Sequence, residues 1–118
     1  MIEDILALLR LFEGHAPDPE AHGWVGDIVA HEKRWPEAHD IFDRVRSRTL
    51  EAIERKDRVR ACQYYFNEVC LQSVFNQTNT DVPFDPDAPH WIIKNAFQYA
   101  RAVGIPDDAV IAIVAPRR

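Results

Sequence analysis

"DRVRACQYYFNEVCLQSVFNQ", residues 57–77, is the stretch on which the fold turns. Its apolar members are Val59, Ala61, Cys62, Tyr64, Tyr65, Phe66, Val69, Cys70, Leu71, Val74 and Phe75. Wound as a helix, they cover nearly the whole circumference. A helix that is apolar on all sides is enclosed by other elements, so this one belongs at the centre of the molecule. Asp57 stands where such a helix takes its N-cap.

The segment before it has the opposite character. From Pro36 onward, Ala38, Ile41, Phe42, Val45, Thr49, Ala52 and Ile53 form one apolar stripe. The other sides are charged, and Asp40 with Arg44 and Glu51 with Arg55 stand at i,i+4 with the acid first, the favourable order. Residues 36–78 therefore read as a helical hairpin, one arm amphipathic and one buried.

Outward from the hairpin, four more helices are expected. Residues 2–13 place Ile2, Ile5, Leu6, Leu8, Leu9 and Phe12 mostly at helical spacing, and Gly14 stops the run. After the loop "GHAPDP" (14–19), Asp18 is an N-cap with Pro19 at the first helical position. Ala21, Trp24, Val25, Ile28 and Val29 then step along one face, and Glu32 follows them. Gly23 and Gly26 weaken this helix by about 1 kcal/mol each relative to alanine. It depends on tertiary support. A later helix runs from Ala88 to Val103, with Trp91, Ile92, Ile93, Ala96, Phe97, Ala100 and Val103 inward and Lys94, Gln98 and Arg101 outward. Gly104 and Pro106 end it. Asp107 caps "DAVIAIVA", whose Val and Ile content fits a strand, although the cap and the helical context favour a helix. The expectation is an all-α chain: one domain over 1–118, a bundle of five or six helices around the central hairpin.

The totals agree with one globular unit: 118 residues, 47% hydrophobic and 28% charged. That is enough apolar material for one core. No repeat of solenoid period is present. The formal net charge of -5 argues against general nucleic-acid binding, and it is unevenly spread. Residues 1–43 carry ten acids against three bases, whereas residues 44–60 carry seven bases against three acids. An acidic lobe and a basic segment coexist. Cys62 and Cys70 lie on one helix, eight residues and so roughly 12 Å apart, too far for a disulfide. Glu3 and Asp4 stand where a signal peptide needs positive charge, and no stretch approaches membrane-spanning length. The expected location is a reducing cytoplasm.

Four constellations could carry chemistry. "DVPFDPDAPHW" (81–91) gathers Asp81, Asp85, Asp87 and His90 among Pro83, Pro86 and Pro89. It lacks the glycine and terminal glutamate of a calcium loop. Its prolines keep the chain extended up to the next helix, and Asp87 sits where the helix dipole favours a carboxylate. Punctuation is the preferred reading. His90 is the residue there that punctuation does not require. Within the central helix, Glu68 lies one turn after Tyr64 and one before Gln72. A glutamate in so apolar a helix is ion-paired, desolvated, or a marker of a cleft. Among the histidines, His15 and His22 flank a loop with Asp18 and Glu20. His39 and Asp43 make a surface pair, and "HEKRW" (31–35) lacks the second histidine of a zincin. The last constellation is the basic segment itself, with Arg44, Arg48, Arg55 and Arg58 as its candidate contact residues. Arginine is the preferred anchor for carboxylates at interfaces.

No phosphate-binding glycine loop, dinucleotide fingerprint or nucleophile turn is present. No metal ligand set or cofactor is implied. The leading expectation is a non-enzymatic protein-interaction module, an adaptor or an immunity- or antitoxin-like binder of a partner with an acidic surface. One alternative is a small-ligand protein or enzyme with a cleft at Tyr64, Glu68, Gln72 and His90. The other is a nucleic-acid-associated protein using residues 44–60. Self-association is compatible with all three.

Overall fold

A computed structural model describes residues 2–31, 35–78 and 87–115. They form six helices: α1 (Ile2–Glu13), α2 (Pro19–His31), α3 (Trp35–Glu54), α4 (Arg58–Thr78), α5 (Ala88–Ala102) and α6 (Asp107–Val114). No strand occurs among the described residues. The expected all-α bundle is the observed fold, and the "DAVIAIVA" segment is helical. No helix among the described residues is long and apolar enough to cross a membrane.

The α3–α4 hairpin is the organising unit. α4 packs against α3, α5 and α2, which is why it is apolar on so many sides. α1 closes the assembly against α2 and α6. Phe12 of α1, Phe66 of α4 and Tyr99 of α5 meet at the centre, each fully buried. Phe12 lies edge-on to the other two, with ring centroids 5.4 Å from Phe66 and 4.9 Å from Tyr99. This edge-to-face geometry is the arrangement aromatic quadrupoles prefer.

Local chemistry explains the element ends. Asp57 caps α4 as its position implies, its carboxylate accepting the Arg60 backbone N–H at 3.2 Å. Asp18 does the same for α2 through Glu20 N–H at 3.1 Å. α5 starts with Asp87 at the N-cap, but no side-chain cap bond forms there. Asp107 departs from its expected role. Pro106 holds the N-cap position of α6, and the Asp107 carboxylate turns back onto Arg101 in a two-bond fork of 3.1 and 2.8 Å. A bidentate ion pair outcompetes a single cap bond.

Two of the buried polar groups inside the helices bond to the preceding turn. Thr49 donates its hydroxyl to Val45 C=O at 2.8 Å, and Asn95 donates its amide to Trp91 C=O at 2.8 Å. Two stripe members lie outside the core. Ile53 is 58% exposed and Trp91 44%. Each sits at an end of its helix, Ile53 in the last turn of α3 and Trp91 in the first turn of α5.

Candidate functional site

The basic segment becomes a shaped surface at the turn between α3 and α4. α3 ends in a left-handed residue, Lys56, with φ of 58°. Asp57 N–H bonds back to Ala52 C=O at 2.9 Å, and Lys56 N–H to Ile53 C=O at 3.0 Å. This tight reversal brings the last turns of α3 beside the first turns of α4. Between them lies a recess of about 40 Å³. Arg48, Glu51 and Ala52 line it from α3, Arg55 and Asp57 from the connecting turn, and Arg60 and Tyr64 from α4.

Its charges are partly internally matched. Arg55 pairs with Glu51 at 2.8 Å, and Arg60 approaches Asp57 at 3.7 Å. Arg48 has no carboxylate partner among the described residues. Among the described residues the recess therefore keeps an excess of positive charge, with the Arg48 guanidinium uncommitted. Tyr64 is buried, and its hydroxyl donates to the Asp18 carboxylate. Burial, that hydrogen bond and the Asp18 charge push its phenol up to about 12, against the opposing pull of Arg48 and Arg60. At neutral pH it is a protonated donor, not a base.

The expected site residues fall into separate places. Arg48 and Arg55 converge in the recess, joined by Arg60. Arg44 and Arg58 are exposed, Arg58 as the first residue of α4. Tyr64 contributes to the recess. Glu68, one turn further on, turns to Arg46 of α3 at 3.0 Å, with its side chain 16% exposed. Gln72 is exposed on the following turn. His90 is exposed on α5, its ring 6.3 Å from that of Trp91. The functional groups of Tyr64 and Glu68 thus engage different partners, Asp18 just before α2 and Arg46 on α3. Asp81, Asp85 and the loop prolines Pro83 and Pro86 lie outside the described residues.

The Arg46–Glu68 bond also sets which side chains share a side of the hairpin. Leu50 and Ile53 stand one and two turns beyond Arg46, and Tyr65 stands one turn before Glu68. In an antiparallel pair these three fall on one side. All are exposed, at 67%, 58% and 45% respectively. The hairpin tip therefore carries an arginine recess on one flank and an apolar shoulder on the other.

Three features were not visible in the residue order. Arg60 belongs to the recess. Asp18, which reads only as a cap, also holds Tyr64 and accepts Gln63 Nε2 on its carbonyl at 2.8 Å. His22, which reads as a loop neighbour, is largely buried in α2 beside Tyr99, with ring centroids 6.0 Å apart. The signal for His22 was its place one residue after Ala21, on the edge of the α2 apolar face. No family model, curated protein or solved structure matches this chain.

Proposed function

We propose that this chain is a protein-interaction module that engages an acidic partner through the tip of the α3–α4 hairpin. An adaptor, or a binder that masks its target in the manner of an immunity protein or antitoxin, is the form that suits a small helical bundle. The observation that carries the reading is the recess of Arg48, Arg55 and Arg60, with exposed Leu50 and Ile53 on the opposite flank of the same hairpin tip. Arginine is among the residues enriched at interface anchors. Arg48, unpaired among the described residues, is the group with most to gain from a carboxylate brought from outside.

The test is affinity capture from source cells with the wild-type chain and with an Arg48→Glu, Arg55→Glu variant. A stoichiometric protein held by the wild type and lost by the variant, with circular dichroism and melting unchanged, supports the reading. A partner held equally by both, or none at all, overturns it. Capture of nucleic acid with steeply salt-dependent affinity also overturns it.

A further inference from the structure

A second surface lies at the other end of the chain's chemistry, in the cleft between α1 and α2. It encloses about 320 Å³, within the lower range of small-molecule sites, about 300–1,000 Å³. Leu6 and Leu9 of α1, Pro19 at the start of α2, and Gly23 and Gly26 line it. The two glycines stand mid-helix, where each costs about 1 kcal/mol relative to alanine. Nothing within the fold accounts for them, because a Cβ built at either position meets no atom within 4 Å. Neither allows a close helix–helix approach. Their effect is to keep the floor of the cleft at backbone level and so keep the cleft open.

The rim supplies charge of both signs. Arg10 and Glu13 line the cleft one turn apart on α1, and both are exposed. Neither is ion-paired with a described residue, and they are not paired with each other. His22 also lines the cleft. Its two ring nitrogens are buried and find no protein partner, and the hydroxyl of the adjacent Tyr99 is likewise unmatched. The cleft thus offers an apolar floor, one cation, one anion, and a polar ring at its back.

A simple carboxylic acid would satisfy Arg10 and meet repulsion from Glu13. A simple amine would do the reverse. A molecule carrying both charges close together, with an apolar body, answers the charged rim and the apolar floor. We propose that the α1–α2 cleft binds a free α-amino acid with an apolar or aromatic side chain, its carboxylate on Arg10, its ammonium on Glu13 and its side chain over Gly23 and Gly26. This site is independent of the hairpin tip.

The experiment is a titration of the full isotope-labelled chain with L-phenylalanine, followed by amide shifts. N-acetyl-L-phenylalanine, which lacks the ammonium, and phenethylamine, which lacks the carboxylate, are titrated in parallel. The expected result is saturable shifts confined to residues of α1 and α2, with each control binding about tenfold more weakly. A Gly23→Leu, Gly26→Leu variant, in which helix propensity rises, should keep its helical circular dichroism and lose the shifts. Absence of saturable binding overturns the proposal. So does equal binding of all three compounds, which would make the cleft a merely apolar surface, or undiminished binding by the double leucine variant.

Discussion

At the scale of single residues, His22 is the most consequential side chain outside the hairpin. Burial drives its pKa from 6.5 down to about 4, and the Asp18 carboxylate only partly offsets this. The neutral ring is therefore the folded form at physiological pH. In the unfolded chain the same ring protonates near 6.5, so between the two values the unfolded state holds more protons. The contribution of His22 to stability is complete above pH 6.5. It is lost as pH falls through that window, and is gone below about 4. Allowing for its partial exposure, the loss amounts to about 2 kcal/mol. Urea unfolding at pH 7, 5.5 and 4 should show this decline in the wild type and a flatter one in His22→Gln. Parallel profiles for the two proteins would assign the decline to the carboxylates instead. The order of residues offers only the place of His22 at the edge of the α2 apolar face, and a histidine near a loop reads as solvated until Tyr99 is placed beside it.

At the scale of elements, two helices end in the same way with different residues. Lys56 after α3 and Gly104 after α5 both take positive φ, 58° and 83°. Each is followed by a residue whose N–H bonds back five positions: Asp57 to Ala52 at 2.9 Å, and Ile105 to Ala100 at 2.8 Å. This is the Schellman pattern, which glycine enters without a steric penalty. Lys56 bears that penalty, about 1 kcal/mol. Lys56→Gly should therefore raise the unfolding free energy by about 1 kcal/mol, and Gly104→Ala should lower it by a similar amount. No atom lies within 4 Å of a Cβ at Gly104, so the expected loss is conformational and not a clash. Equilibrium denaturation of both variants checks the pair, and a destabilised Lys56→Gly would refute the assignment. The Gly104 stop is legible in the residue order because glycine followed by proline is a direct signal. The Lys56 stop is not, because lysine carries no such signal and only the returning hydrogen bonds reveal it. The same limit applies to Ile53. Periodicity places it on the apolar stripe of α3, yet periodicity does not state where the facing helix turns away.

At the scale of the whole molecule, the core is joined through the aromatic group of Phe12, Phe66 and Tyr99, drawn from α1, α4 and α5. Phe66 is fully buried on the central helix. Phe66→Ala should cost about 3–5 kcal/mol, a large share of the roughly 5–15 kcal/mol typical of a domain. A single cooperative transition, shifted strongly to lower denaturant, is the expected outcome. A shift below about 1 kcal/mol would show that the three helices are not energetically coupled through this contact. Buried near the same centre, Gln63 Oε1 and the Asn67 amide lack protein partners. These polar groups in the central helix escape a reading based on hydrophobic pattern, which counts them as gaps and not as features.

The helices, their order and the central position of α4 follow from local chemistry. Apolar spacing sets which face is buried, and caps and breakers set where each helix starts and stops, all within a few residues along the chain. The basic character of residues 44–60 is equally local. The arginine recess, the Arg46–Glu68 tie, the burial of His22 and the α1–α2 cleft are of another kind. Each joins residues whose proximity depends on how two helices cross or where a loop returns, and packing of the whole core decides that geometry. The chain order records which charges and apolar groups exist. Their convergence into a recess at one end and a cleft at another is a property of the folded bundle.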